Sequence, residues 1–337
     1  MKSFQPSEQL IAHRVLTIML VKKSEKRGAG LLREELKRPG IVLVPGVFNA
    51  LTALMAQELG FRAVYVSGAA VTASMALPDL GLITMDEMVR AVKYIVDAVD
   101  IPVIVDIDTG YGEALNVMRA VREFEAIGAA GVQIEDQVLP KKCGHLSGKA
   151  LIPPDEMAKK IRAAVEARRN PDFVIIARTD AVGVTGFEDA VERALLYLET
   201  GADVIFPEAL RSEEEFREFA RRVKAPLLAN MTEFGVSPLI PAKKLEEFGY
   251  KFVIFPVTAL RVAMYAIREV FKTILREGTQ ASWLDKMFTR KELYELIRYY
   301  DYEKIDTEVS KYIDNIYKSG RAPRRRPDPV ASGGAWS

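Results

Sequence analysis

The chain has one cysteine, Cys143, among 337 residues, so no internal disulfide can form and nothing in its cysteine usage asks for an oxidising compartment. It lacks a dominant charge as well: 47 basic residues nearly cancel 46 acidic ones, leaving +1. A surface without a field of one sign gives no reason to expect nucleic acid or an anionic membrane as partner. Nor is there an early apolar run of spanning length. The stretch from Leu10 to Val21 is interrupted by His13 and Arg14 and falls short of the roughly 20 residues that a bilayer requires. It shows no small-residue cleavage site and reads as an amphipathic helix packed on the body or on another subunit. The expectation is a cytoplasmic globular protein, and 49% apolar with 28% charged residues suits one with a sizeable core.

What is present is an alternation. Short runs rich in β-branched residues occur at IVLVPG (41–46), AVYVSG (63–68), PVIVDIDTG (102–110), GVQIED (131–136), FVIIARTD (173–180), ADVIFPEA (202–209), PLLANMTEFG (226–235) and KFVIFPVT (251–258). Most are continuously apolar, which suits parallel strands buried on both faces. Amphipathic segments of helical length separate them, at 48–59, 84–99, 115–127, 154–168, 186–200, 212–223, 241–248 and 259–276. Gly60, Gly128, Gly201 and Gly249 stand where a left-handed cap would end a helix, and Thr84 with Glu87 reads as a capping box. Eight strands alternating with eight helices predict an α/β fold, a (β/α)₈ TIM-type barrel over residues 41–278. Residues 1–40 read as an N-terminal helical extension, 279–318 as C-terminal helices, and 319–337 as a disordered tail rich in Pro, Gly, Arg and Ser.

Barrels of this kind do their chemistry at the carboxyl ends of the strands. Six of the runs end in polar residues: Ser67-Gly68, Asp106/Asp108, Glu135-Asp136, Arg178/Asp180, Glu208, and Asn230 with Thr232 and Glu233. Asp106 and Asp108 are two apart, so on an extended backbone both carboxylates aim at one spot and repel unless a cation lies between them. Carboxylate oxygens with no His or Cys close by suit Mg²⁺, with Mn²⁺ as the alternative, and Glu135 and Glu208 are candidates to hold its waters. The segment VLPKKCGHLSGKAL (138–151) is longer than the usual βα loop and has the makings of a lid. Its cationic setting, with Lys141 and Lys142, suits a Cys143 that transfers a proton, and His145 is the candidate partner. Arg178, Arg261 and Arg290 are candidate carboxylate clamps, because the forked guanidinium binds both oxygens at once.

Taken together, KKCGH, the SGAA stretch after the second strand, DIDTGYG and QIEDQ resemble the isocitrate lyase/phosphoenolpyruvate mutase superfamily, over residues 40–300. The KKCGH loop is particular to its lyase branch. FPEA (206–209) and NMTEFG (230–235) are similar to members that cleave 2-methylisocitrate. The resemblance implies substrate contacts from Ser67, Gly68 and Ala69, Mg²⁺ on Asp106 and Asp108, and Cys143 as proton donor with Gly144 beside it. It also implies a site lined by Arg178, Glu208, Asn230, Met231, Thr232, Arg261 and Arg290. Tyr65, Asp79, Lys141 and His145 fall on active-site positions, with Tyr65 the candidate base for a substrate hydroxyl. Where the family often carries SGG, this chain has Ser67-Gly68-Ala69, and the added methyl bears on substrate identity.

The activity so implied is Mg²⁺-dependent cleavage of 2-methylisocitrate to pyruvate and succinate, a step of the methylcitrate cycle in propionate catabolism. Isocitrate and oxaloacetate are the alternative substrates. A non-catalytic carboxylate-binding protein is the alternative of another class, and the aspartate pair with Cys143 opposes it. The helices after residue 278 exceed what a barrel needs, and the resemblance implies that they exchange between subunits of a homotetramer.

Overall fold

Alternate residues of a strand point to opposite faces, so a strand apolar at nearly every position needs cover on both. In the computed structural model, which describes residues 28–319, that cover is a barrel interior on one side and a layer of helices on the other. The strands are β1 (Val42–Val47), β2 (Val64–Val66), β3 (Val103–Asp106), β4 (Gly131–Glu135), β5 (Val174–Thr179), β6 (Val204–Pro207), β7 (Leu228–Asn230) and β8 (Phe252–Phe255). β1 to β6 pair in parallel in chain order, β7 pairs with β8, and β8 pairs with β1. Only the β6–β7 seam is loose, held by the Ile205–Leu227 bridge, so the (β/α)₈ barrel is nearly closed.

Ten helices belong to the barrel unit, which ends at Met287. They are α1 (Gly28–Lys37), α2 (Ala50–Glu58), α3 (Gly68–Ser74), α4 (Met85–Ala98), α5 (Ala114–Ala126), α6 (Pro154–Ala167), α7 (Phe187–Glu199), α8 (Glu213–Arg222), α9 (Ala242–Phe248) and α10 (Thr258–Glu277). The Thr84–Glu87 capping box starts α4, and Gly249 ends α9 in the left-handed region at φ 102°. The short helix α3 was not expected. Ser67 caps it by accepting the amide of Ala70, at a place where the sequence shows only small residues without period.

Residues 28–37, expected in an extension ahead of the barrel, are part of its core. Leu32 of α1 is fully buried among Val42, Val174, Val204 and Phe252, residues at the amino-terminal end of the interior. Arg33 fixes the plug by donating to the carbonyls of Pro171, Asp172 and Phe173 and pairing with Asp203. The helix expected around 10–21 and the tail after 319 lie outside the described residues.

Going up the inner face, each strand changes from apolar to polar in steps of two. Ile104 gives way to Asp106, Ile176 to Arg178, Phe206 to Glu208 and Leu228 to Asn230, while β4 carries Gln133 and then Glu135. The outward set, Val105, Val132, Ile134, Ile175, Ala177 and Ile205, packs against the helices. One alternation thus builds two cores and leaves an ionic layer at the carboxyl mouth.

From Phe288 onward the chain forms a separate unit with α11 (Arg290–Leu296) and α12 (Tyr299–Lys318). Thr289 and Glu292 make a capping box for α11, and Tyr294 stacks on Tyr299 at 4.4 Å. No described helix is long and apolar enough to cross a membrane.

Candidate active site

Asp106 ends β3, and its carboxylate accepts the amides of Gly68 (3.2 Å) and Asp108 (3.1 Å). A Cβ at Gly68 would stand 3.1 Å from Asp106 Oδ2, so the glycine lets α3 begin against the carboxylate. Asp108 lies one step past the strand with φ 49°, an uncommon backbone state for a residue with a side chain. Lys160 of α6 donates to the carbonyl of Thr109 at 3.3 Å and supports the bend from behind.

Both aspartates are buried. Burial pushes the Asp108 carboxyl up to about 6, against the pull of Lys141 and helped by the charge of Asp106. Lys141, from the loop after β4, pairs with Asp79 and lies 2.8 Å from Asp108. Its burial works against the charge, but Glu135, Asp108 and Asp79 hold its ammonium well above the usual lysine range.

Among the described residues no three His, Cys, Asp or Glu side chains converge as a metal cage. The donor set still fits a hard cation that keeps its waters. Two carboxylates face one spot, and both oxygens of Glu135 are buried without a hydrogen-bond partner. Its contact with Arg178 is an ion pair without a hydrogen bond, so this carboxylate can still accept from water held by an ion, since buried polar atoms are rarely left without a hydrogen bond.

The opposite wall is a network around Arg178. Its Nε and Nη2 donate to Asp180 at 2.9 and 3.1 Å, so the fork expected to grip substrate is taken up by a protein carboxylate. Nη1 remains toward the mouth, 3.2 Å from Glu135 and 3.4 Å from Glu208. Burial alone would raise the Glu208 carboxyl, but Arg178, then His145 and Lys149, outweigh it and hold it at about 2. Asn230 donates to Glu208 at 3.1 Å and keeps a buried Oδ1 without a partner.

The loop carrying Cys143 rests on this wall. A Cβ at Gly144 would lie 2.4 Å from Glu208 Cγ and 2.5 Å from Arg178 Nη2, so only glycine permits the approach. Its carbonyl accepts from Lys149, which also donates to Asp180 at 2.8 Å. His145 Nε2 is 3.0 Å from Glu208, and its Nδ1 accepts the amide of Val236 at 3.1 Å. Both ring nitrogens are therefore engaged by groups other than Cys143, which is half-buried with a free thiol.

Some expected roles change. Tyr65 is buried and donates to Gln133 Oε1 at 2.6 Å. Burial, then the charge of Asp106, holds its proton well above the ordinary phenol range, so its surroundings favour a donor over the expected base. Asp136 turns outward to Tyr197 (2.8 Å) and Arg193 and braces α7. Arg261 is at the rim, donating to the carboxylate (2.7 Å) and carbonyl (2.8 Å) of Glu233. Arg290 opens α11 in the C-terminal unit. Met231 accepts the amide of Ile240 through sulfur, Thr232 is buried next to it, and Ala69 stands beside the Ser67 cap. Lys149 and Gln133 were not expected. Gln133 could have been found as a polar residue in the middle of a buried strand, whereas Lys149 looks like any loop lysine.

A family model described as phosphoenolpyruvate phosphomutase matches residues 32–275. The chain is 60% identical over 299 residues to the 2-methylisocitrate lyase of Aeropyrum pernix, covering 86% of this chain and 96% of that protein. It is 49% identical over 290 residues to the 2-methylisocitrate lyase of Bacillus subtilis, with coverage of 86% and 96%. Among solved structures, 2,3-dimethylmalate lyase superposes with TM-score 0.80 at 37% identity, covering 85% of this chain and 96% of that one. Oxaloacetate acetylhydrolase with 3,3-difluorooxalacetate also gives 0.80 at 37%, over 84% and 97%. Phosphonopyruvate hydrolase with oxalate and Mg²⁺ gives 0.77 at 31%, over 83% and 98%. A barrel whose mouth joins paired aspartates to a docked KKCGH loop, in a chain with these relatives, belongs to the phosphoenolpyruvate mutase/isocitrate lyase superfamily, among its carbon–carbon lyases.

Proposed function

We propose that the chain cleaves 2-methylisocitrate to pyruvate and succinate. The observation that carries this is the Cys143 loop docked through Gly144 on Glu208 and Arg178, opposite the Asp106/Asp108 pair. The high identity to enzymes named for this substrate supports the same reading. Asp106 and Asp108 would hold Mg²⁺, as the oxalate and Mg²⁺ complex of a superfamily member suggests, or Mn²⁺, with Glu135 toward its waters. Bound there, the ion supplies Lewis-acid polarisation of the hydroxyl and adjacent carboxylate of the half that becomes pyruvate.

The chain's own residues do the rest. Ser67 and the Gly68 backbone border the aspartates, while Arg178 Nη1, the Asn230 amide and Lys141 offset the negative charge of the polycarboxylate. As the carbon–carbon bond breaks, the hydroxyl of the pyruvate half gives its proton to a carboxylate of the mouth, Glu135 being the one with both oxygens open to accept. The O–H electrons become the new carbonyl, and the electron pair of the broken bond stays on the succinate half. Cys143 donates the proton that quenches it, from a loop that excludes water while docked. We further infer a homo-oligomer from the uncovered apolar face of α10; its subunit count, a tetramer, is what the family resemblance implies.

The test is a coupled assay of pyruvate release from 2-methylisocitrate, with isocitrate and oxaloacetate in parallel. 2-Methylisocitrate should give the highest kcat/KM, EDTA should abolish turnover, and Asp108→Ala should do the same in a folded chain. Faster turnover of oxaloacetate would reassign the substrate, and full activity in EDTA would remove the metal. Tight ligand binding with no turnover in the wild type would point to a carboxylate-binding protein.

A further inference from the structure

We propose that His145 and Gly235 form a latch that holds the Cys143 loop docked on the loop after β7, residues 231–240. The imidazole is the only side chain of the first loop that hydrogen-bonds the second among the described residues, and the bond runs from the Val236 amide to Nδ1 at 3.1 Å. A backbone N–H can only donate, so Nδ1 carries no proton and Nε2 carries the one that faces Glu208 at 3.0 Å. This gives the ring a single productive tautomer and orientation. A flipped or doubly protonated ring loses the Val236 bond.

Gly235 sets how closely the loops meet. A Cβ there would lie 2.6 Å from Nδ1, 2.8 Å from Cγ and 2.9 Å from Cε1 of the imidazole. The ring has little room to yield, because Glu208 holds its far nitrogen and Gly144 before it is pressed on Glu208 and Arg178. The backbone of Gly235 is outside the left-handed region, so the glycine is required by the contact and not by its own φ. At the other side, Glu233 accepts from Thr258 and Arg261, which ties the second loop to the start of α10. The 231–240 segment thus forms a fixed seat, and His145 is the peg that the Cys143 loop places in it. Gly235 and Val236 are positioning residues. They act on the reaction through His145 and the loop that bears Cys143.

The first measurement is amide hydrogen exchange of the full chain without substrate, which makes it independent of the reaction proposed above. His145→Ala should speed exchange in 231–240 by tenfold or more and leave the barrel strands unchanged. Unaltered exchange there would overturn the latch, whatever the activity. The second measurement is a double-mutant cycle. Gly235→Ala should lower kcat at least tenfold with KM within a few-fold, and should speed alkylation of Cys143. In the His145→Ala background, where no ring remains to be met, the same methyl should cost nothing further. An equal loss in both backgrounds would show that Gly235 serves something other than His145. Should Gly235→Ala fail to fold, the exchange experiment on His145→Ala decides the matter alone.

Discussion

Glu208 gathers more donors than any other carboxylate of the mouth, with Arg178, His145 and Asn230 within 3.4 Å. Its carboxyl is held at about 2 against an ordinary 4.5, so it stays ionised at any working pH and cannot be the acid of the reaction. The linkage follows with a definite sign. A depressed carboxyl contributes stability above its unfolded pKa and loses it as the pH falls through the folded one. The stability gap between wild type and Glu208→Gln should therefore narrow between pH 5 and pH 3, by on the order of 1–2 kcal/mol, in denaturant titrations. An unchanged gap would mean that Glu208 is not ionised in the folded chain. Cys143 is the proposed donor of the proton. Cys143→Ser is nearly isosteric, so it should keep substrate affinity while kcat drops by roughly 10²–10⁴. Alkylation should inactivate the wild type and bound product should protect it; a serine variant within a few-fold of wild type would reduce Cys143 to a loop residue. At this scale the spacing in the sequence draws attention to Asp106 and Asp108. But β3 ends at Asp106 and Asp108 sits in the following turn at φ 49°, so period two does not set its direction. The sequence hides the state of Tyr65 and the occupied fork of Arg178, since both depend on Gln133 and Asp180 across the barrel interior.

The strands and their helices were legible because burial on both faces leaves a continuous apolar run that no amphipathic helix copies. Two elements were not. The α3 segment, GAAVTAS, has neither period nor length, and the role of α1 depends on Leu32 reaching a barrel floor assembled from distant strands. The lid was legible by length, but its fastening was not. Lys149 ties the loop back on itself at Gly144 and onto β5 at Asp180, with its ammonium almost wholly out of solvent. Removing that charge leaves Asp180 still paired with Arg178, so the barrel itself should survive. Lys149→Met should thus unfold close to the wild-type temperature but lose about 10- to 100-fold in kcat, because a shift near 1 Å in a catalytic loop costs that much. Full turnover in the variant would show that the loop keeps its place without the lysine.

In the barrel unit, α10 carries a stripe of large apolar side chains left open along one helix. Val262, Met264, Tyr265 and Phe271 are more than half exposed there and Leu275 is 90% exposed, beside a groove of about 1180 Å³ that also takes in Phe234. The sequence pointed to surplus apolar helices after residue 278, whereas this stripe comes earlier, on the helix that completes the barrel. Water against so long an apolar face is unfavourable, at roughly 25 cal/mol per Å², and monomeric proteins seldom leave such a face open. A second copy of the chain is the partner at hand, since homo-oligomers close by burying the same face on each subunit. The start of α10 also holds Glu233 through Thr258 and Arg261, so whatever covers the helix steadies the rim of the site. The wild type should therefore run as an oligomer in light scattering at micromolar concentration. Phe271→Asp with Leu275→Asp should lower the mass and remove the dependence of Tm on protein concentration. Activity should fall with dissociation, because the 231–240 loop loses its support. A wild-type monomer would refute the assembly, and an unchanged mass in the double variant would move the interface away from α10.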